Sequence, residues 1–213
     1  MNTLAILSRK GGTGKTTLAV NLSVAAERAG HKVAIIDLDS QASASEWSDW
    51  REVSETPEVI SVHSARLPQE LHRLKQHGVT FAILDTPPKI EDIALDAAKA
   101  ADMAMIPCKP SAFDLKAIEK TILVGNMAKC PMRIVFNAVR ARSSMLHPAK
   151  RAVQVYDVEV APCVIGDRIV FSHSVIEGLG VIEYDAKGKA SIEIQALFRY
   201  ISKQMEAHDG TTT

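Results

Sequence analysis

The chain has 213 residues, 46% of them hydrophobic, and its 25 basic side chains balance 25 acidic ones. This length and apolar content suit one hydrophobic core, so we predict a single domain over residues 1–206 and a disordered polar tail at 207–213. The zero net charge gives no bulk signal for a nucleic acid or a membrane. Any such partner must therefore be bound by a local patch.

The cysteine content and the lack of a long apolar stretch bear on where the protein works. Cys108, Cys130 and Cys163 are far apart and form no CxxC pair. This spacing signals neither a disulfide framework nor a zinc or iron–sulfur site. The N-terminal apolar run is too short for a signal peptide, and no uncharged apolar stretch reaches about 18 residues. We therefore predict a soluble, cytoplasmic protein.

Short apolar runs rich in Val, Ile and Leu alternate with longer amphipathic segments along the chain. Continuous apolar runs are typical of strands buried on both faces, and their alternation with helices favours a mainly parallel sheet. We predict a three-layer α/β/α fold. In chain order, the predicted elements are strand Leu4–Leu7, helix Thr16–Ala29, strand Val33–Leu38, helix Leu67–His77, strand Phe81–Leu84, helix Ile93–Ala100, strand Met103–Ile106, helix Leu115–Ala128, strand Ile134–Phe136, helix Leu146–Tyr156, strand Cys163–Ile165 and helix Ile192–Gln204.

A glycine-rich loop joins the first predicted strand to the first predicted helix. Its glycines allow a tight turn that directs amide N–H groups at a phosphate, and the helix adds its positive N-terminal end. Lys15 is expected to reach the β and γ phosphates, Thr16 to ligate magnesium, and Thr17 to lie at the α phosphate. The predicted nucleotide-binding residues of this loop are Gly11, Gly12, Thr13, Gly14, Lys15, Thr16 and Thr17.

The loop departs from the ordinary pattern GxxxxGK[ST], because Arg9 stands where that pattern requires a glycine. From Lys10 it reads KGGTGKT instead. This stretch resembles the deviant Walker A motif of the ParA and MinD family of P-loop ATPases. The resemblance implies a P-loop NTPase fold, and it implies that Lys10 reaches across a dimer interface to the partner's nucleotide and acts in catalysis with Lys15.

Two predicted strands deliver aspartates at their carboxyl ends, where open parallel sheets bind ligands. Asp37 and Asp39 are two residues apart, so we expect them to share a strand face and Asp37 to contact the nucleotide. By resemblance, Asp39 orients the attacking water, although Ser40 stands where the family has proline. Asp85 resembles a Walker B aspartate that holds magnesium through water. For each acid alone, capping of a following turn is the structural alternative.

Two later segments resemble the parts of the family that line the base. Asn137 follows the strand Ile134–Phe136, and its amide can donate to and accept from a purine edge. Gly166 and Asp167 correspond by resemblance to the base loop, with Gly166 where proline is usual. Turn formation is the alternative for Asn137. Trp47, which follows the second strand, is interpreted as a core residue.

The resemblance covers Leu4 to about Tyr200 and is greatest to the short, ParF-like plasmid partition proteins. Because the chain starts directly at the first predicted strand, we expect no N-terminal DNA-reading domain. The implied function is an ATPase for plasmid or chromosome partition, with ATP and Mg²⁺ as cofactors. ATP joins two monomers, the dimer binds DNA non-specifically on the nucleoid, and a ParB-like adaptor stimulates an otherwise slow hydrolysis. Whether the dimer assembles further is left open.

Local charge supports a DNA contact, and three other functions remain open. Basic residues cluster around the helix at 146–156 and before the last helix. A MinD-like membrane or cargo-positioning ATPase is one alternative, but acidic residues interrupt the last helix, so we expect no stable membrane association. A reductase-like electron carrier would need suitably spaced cysteines, and a metabolic ATP-using enzyme would need a substrate pocket. The basic residues are Arg133, Arg140, Arg142, Lys150, Arg151, Lys187 and Lys189.

Overall fold

The computed structural model describes residues 1–53 and 56–209, and its strands form one parallel sheet. The strand order is β3-β2-β4-β1-β5-β6-β7, and every neighbouring pair runs parallel. β2, β4 and β5 are buried at every position, as expected for strands covered on both faces. The strands are β1 (Asn2–Ile6), β2 (Val33–Asp37), β3 (Glu58–Ser61), β4 (Phe81–Asp85), β5 (Met103–Cys108), β6 (Met132–Val139) and β7 (Glu159–Gly166).

Helices cover the sheet on both sides and enclose two hydrophobic cores. One core packs α1, α2, α7, α8 and α9 against one face, and the other packs α3, α4, α5 and α6 against the opposite face. The prediction of a three-layer α/β/α fold is therefore confirmed. The helices are α1 (Lys15–Arg28), α2 (Ser43–Asp49), α3 (Leu67–Gln76), α4 (Glu91–Ala100), α5 (Ala112–Ala128), α6 (Leu146–Val153), α7 (Val170–Ile176), α8 (Val181–Tyr184) and α9 (Lys189–Asp209), with 3₁₀ turns at Ser64–Arg66 and Gln154–Tyr156.

Four short elements escape the sequence pattern: β3, α2, α7 and α8. β3 is a four-residue edge strand whose positions are only partly buried, so it carries no apolar run. The seven-residue α2 buries only Ala44 and Trp47, too few for a helical period. Full burial of Trp47 confirms its interpretation as a core residue.

The last helix is longer than predicted. α9 begins at Lys189 and continues to Asp209, past the start of the predicted tail at residue 207. The rest of that predicted tail, residues 210–213, lies outside the described residues. Within the described chain, no helix is both long and apolar enough to cross a bilayer.

The strand order determines where a ligand would bind. β1 lies at the centre between β4 and β5, so the chain must cross over β1 between these two strands. In open parallel sheets such a switch point creates a crevice at the carboxyl ends of the strands. The loop after β1 opens into this crevice.

Candidate functional site

The glycine loop fills the gap between the end of β1 at Ile6 and the start of α1 at Lys15. Gly14 caps α1 in the left-handed region, with φ of 90°. A side chain there would also collide with the amide of Asn137, so only glycine fits. A Cβ placed on Gly11 or Gly12 would meet no described atom within 4 Å. The loop is therefore open on the side where a phosphate would lie, with the N-terminus of α1 behind it.

Lys15, Thr16 and Asp85 form the polar centre of this crevice. The Thr16 hydroxyl donates to Asp85 Oδ2 at 2.6 Å. Asp85 Oδ1 is buried without a hydrogen-bond partner among the described residues. Burial raises the pKa of Asp85 to about 7, against the lowering effect of the Thr16 hydrogen bond. Burial also lowers the pKa of Lys15, while the carboxylates of Asp85 and Asp39 oppose that shift. The pair Thr16 and Asp85 thus presents oxygen ligands suited to magnesium.

Lys10 lies beside α5 and is held by a buried acid. Its Nζ lies 2.7 Å from Asp114 Oδ2, and the Ser111 hydroxyl donates to the same oxygen. Asp114 is 6% exposed, and its Oδ1 has no hydrogen-bond partner in the described chain. This pair was not predicted, because an acid in the first turn of a helix reads as a local cap. Its partner lies 104 positions away in sequence.

Asp37 and Asp39 do not share a strand face, contrary to the prediction, because β2 ends at Asp37. Asp39 lies beyond the strand, and its Oδ1 accepts from Gln41 N at 3.0 Å. The Asp37 carboxylate accepts from three backbone amides of the following loop and of α2. Burial raises the pKa of Asp37, and the hydrogen bonds from these amides oppose the shift.

The base-side residues lie further along the sheet. Asn137 does not lie just beyond its strand as predicted but within it, because β6 continues to Val139. Its Nδ2 donates to the Thr13 carbonyl at 2.7 Å, so the amide supports the phosphate loop from below. Gly166 is the last residue of β7 and donates its N–H to Glu193. Asp167 donates its N–H to the Val139 carbonyl.

The structure thus separates the predicted residues into two groups. The phosphate loop with Thr17, Asp39 and Asp85 gathers at the ends of β1, β2 and β4, while Gly166 and Asp167 lie at the end of β7. Two strands, β5 and β6, lie between β1 and β7. At about 4.8 Å per strand, this separation suits a ligand with phosphates at one end and a ring at the other. Asn137 on β6 connects the two groups.

Two of the three cysteines lie inside the protein. Cys108 and Cys130 are buried, and burial raises the pKa of both thiols to about 12. Among residues 1–53 and 56–209, no group of three or more His, Cys, Asp or Glu side chains could hold a metal ion.

A central parallel sheet with a glycine loop at its switch point defines a P-loop nucleotide-binding protein. Residues 4–182 match the CobQ/CobB/MinD/ParA nucleotide binding domain, and the chain belongs to this family. The predicted family is therefore confirmed.

Individual relatives differ in what their names describe. The chain is 29% identical over 198 residues to maintenance of carboxysome distribution protein A of Halothiobacillus neapolitanus, covering 90% of this chain and 91% of that one. It is 27% identical over 143 residues to the chromosome-partitioning ATPase Soj of Thermus thermophilus, covering 54% and 57%. Its fold is similar to that of the septum site-determining protein MinD of Pyrococcus horikoshii complexed with Mg-ADP, with TM-score 0.79, 23% identity and coverage of 97% and 98%.

Proposed function

We propose that this protein is an ATPase whose ATP-bound form is a homodimer that positions a cargo, with DNA partition as the first candidate. The observation that carries the proposal is the centre formed by Lys15, Thr16 and Asp85 beneath an open glycine loop. A second lysine, Lys10, lies on the same loop. Lys15 would bind the chain's own nucleotide, and Lys10, which pairs with Asp114 in the monomer, would leave that pair to serve a partner's nucleotide.

The residues of the crevice fit ATP with Mg²⁺. The partnerless Oδ1 of Asp85 and the Thr16 hydroxyl are oxygens of the kind that magnesium prefers, with phosphate and water completing the shell. The bound ion supplies neutralisation of charge on the phosphoryl oxygens. Lys15 binds the β and γ phosphates, and Asp39 orients the attacking water. A single carboxylate at an open loop makes a slow catalyst, which is what a partner-controlled timer requires.

Exposed apolar side chains surround the same edge of the sheet and support a dimer. Ile90, Phe113, Met145 and Ile169 follow β4, β5, β6 and β7 respectively, and Phe113 is 82% exposed. The carboxyl ends of parallel strands share one edge, so these residues surround the crevice. Monomeric proteins rarely leave such a set uncovered, and a second copy facing the crevice would cover it.

The proposed DNA contact uses the most exposed of the predicted basic residues. Arg133 is not one of them, because it pairs with Glu159 at 3.3 Å and bonds to Gln204. Arg140 has an 87% exposed side chain and a solvent-exposed pair with Asp167 at 4.0 Å, and Arg142 and Arg151 are exposed. Contacts of this kind bind phosphates without reading sequence. A ParB-like adaptor would stimulate hydrolysis and release the dimer from the nucleoid.

A second candidate is the positioning of a protein cargo. A relative that is 29% identical over 90% of this chain is named for carboxysome distribution. Both candidates share the ATP-dependent dimer and differ in what the adaptor carries.

Light scattering after size exclusion tests the switch. Wild type, Lys10→Ala and Asp39→Ala would be run with ADP and with ATP, each with magnesium. We expect a dimer only with ATP, longest-lived in Asp39→Ala and absent in Lys10→Ala. Monomers throughout, despite measured ATP binding, would favour a metabolic ATPase instead.

The DNA contact needs its own experiment. Mixed-sequence duplex DNA should retain the ATP-bound protein at low salt and release it as salt rises. Neutralising Arg140, Arg142, Lys150 and Arg151 together should abolish retention. The matched control neutralises four basic residues elsewhere: Arg66, Lys75, Lys99 and Lys129. Equal loss in both variants would show that net charge, and not this surface, binds DNA.

A further inference from the structure

We propose that Asp37 is a positioning residue that holds the Asp39 loop in place, and not a ligand of the nucleotide. The inference rests on the proposed function, since it assumes that Asp39 orients the attacking water. It replaces the role predicted for Asp37 from its position at the end of β2.

The contacts of Asp37 engage both of its oxygens. Oδ1 accepts from Asp39 N at 3.0 Å, and Oδ2 accepts from Ala44 N at 3.1 Å and from Ser45 N at 3.4 Å. Asp37 itself is 1% exposed. Three of the roughly four acceptor positions of this buried carboxylate are therefore filled by backbone amides, which leaves little access for a nucleotide.

α2 depends on this carboxylate for its N-terminal cap. The first N–H groups of a helix have no partner within the helix and usually bond to a side chain at the N-cap. The N-cap here is Ala42, which has no side-chain acceptor and lies in the left-handed region with φ of 53°. Asp37 replaces that local cap from seven and eight residues upstream.

The far side of α2 is fixed independently. Trp47 is fully buried, and its Nε1 donates to the Leu179 carbonyl at 3.3 Å. The segment from 38 to 46 is therefore held by Asp37 at one end and by Trp47 at the other. Asp39 lies within this segment, one residue beyond the buried Leu38.

The consequence concerns turnover more than binding. If the amides lose Asp37, the Asp39 carboxylate is no longer held at one distance from the crevice, while Lys15, Thr16 and the glycine loop keep their contacts. Misplacement of a catalytic group by about 1 Å can cost on the order of 100-fold in rate. Nucleotide affinity should hardly change.

The test compares Asp37→Asn and Asp37→Ala with Asp39→Ala in full-length protein. Asn keeps the size and one acceptor oxygen, so it provides a folded variant if Ala proves unstable. Asp102→Asn is the matched control, because Asp102 Oδ2 also accepts a backbone N–H, from Thr3 at 2.7 Å, but before β5 at the opposite edge of the sheet. Each variant is measured for ATP hydrolysis rate, for magnesium–ATP affinity, and for amide hydrogen exchange at Asp39, Ala44 and Ser45.

We expect Asp37→Asn to lower kcat on the order of tenfold and Asp37→Ala further, with affinity within about twofold of wild type. The amides of Asp39, Ala44 and Ser45 should exchange faster in both variants. Asp102→Asn should leave kcat, affinity and the exchange of these amides unchanged. Unchanged kcat in Asp37→Ala would overturn the inference. So would weakened affinity with unchanged amide exchange, which would make Asp37 a nucleotide ligand. A wild-type rate in Asp39→Ala would instead overturn the proposed role of Asp39, and the inference with it.

Discussion

Two regions of this protein bury charged side chains, and they differ in whether every buried polar atom has a hydrogen-bond partner. Between α2 and α8, Arg51 forms two bonds with Glu183, at 2.7 and 2.8 Å, and donates to the Gly178 carbonyl at 3.0 Å. Glu183 also accepts from Gly180 N. At the carboxyl edge of the sheet, Asp85 and Asp114 each keep one buried oxygen without a partner in the described chain.

The difference separates a structural ion pair from a site prepared for a ligand. A buried acceptor without a donor destabilises the folded protein, so native structures contain few. Here the described residues contain three such atoms, and the third is Ser45 Oγ on α2. All three lie at or beyond the carboxyl ends of strands: Asp85 ends β4, Asp114 follows β5 and Ser45 follows β2. We interpret this concentration as a mark of the functional edge.

The largest expected effect comes from breaking the Arg51–Glu183 ion pair. In Glu183→Gln, the guanidinium of Arg51, which is 3% exposed, loses its counter-charge. We expect the free energy of unfolding to fall by about 3–5 kcal/mol in urea denaturation. Nucleotide affinity should stay at the wild-type value. The exposed Glu177→Gln is the control, and an equal loss there would contradict a specific role for the pair.

The same pair should make stability depend on pH. Burial tends to raise the pKa of Glu183, but the hydrogen bonds from Arg51 and from Gly180 N outweigh it and leave the pKa below its ordinary value of 4.5. A lowered pKa in the folded state contributes stability above the unfolded value, and this contribution is lost as pH falls through the folded value. The difference between wild type and Glu183→Gln should therefore be full above about pH 5 and shrink below pH 4 in urea melts. A difference that grows on acidification would contradict this assignment.

The next largest effect concerns Lys15, at the polar centre of the crevice. Lys15→Ala removes the cation that faces Asp85 and Asp39, and we expect magnesium–ATP affinity in calorimetry to fall on the order of 100-fold. Because burial already disfavours the charged form of Lys15, the nucleotide-free protein should keep its stability. Lys120→Ala, at an exposed position of α5, is the control. Wild-type affinity in Lys15→Ala would show that the loop does not bind phosphate.

Asp114→Asn sharpens the comparison with a smaller effect. It removes the counter-charge of Lys10, which becomes free to reach a second copy. We expect the ATP-bound dimer to form at a protein concentration several-fold lower in light scattering. The reason is that the pair with Asp114 no longer keeps Lys10 from the partner's nucleotide, so a larger fraction of monomers is competent to dimerise. The double variant with Lys10→Ala should lose this gain. A dimer that needs higher concentrations would show that Asp114 supports the interface directly.

The smallest effect tests whether Asn137 supports the phosphate loop through its hydrogen bond to Thr13. Asn137→Ala removes the bond to the Thr13 carbonyl, and we expect a loss of about 1 kcal/mol in stability. Magnesium–ATP affinity should weaken several-fold, because the loop loses its fixed shape. The exposed Asn126→Ala serves as control. If only the affinity for the base changes, measured with inorganic triphosphate against ATP, Asn137 contacts the base instead.

The sequence determined the fold class and the phosphate loop because both depend on local pattern. Buried parallel strands are apolar along their whole length, as in VAIID and FAILD, and such runs are visible without any tertiary contact. The glycine loop is equally local as a pattern, since its residues are consecutive between β1 and α1. Short elements such as α2 were missed, because they are stabilised by distant partners and not by their own periodicity.

The partners of the polar side chains were decided only by the tertiary structure. Lys10 meets Asp114 across 104 positions, and Asn137 meets Thr13 across 124. The three amides that donate to Asp37 were also not visible in the sequence, because periodicity places a side chain on a face and does not state which donor lies opposite. Hydrogen bonds require donor and acceptor within about 3 Å, a precision that only the packing of strands and helices provides.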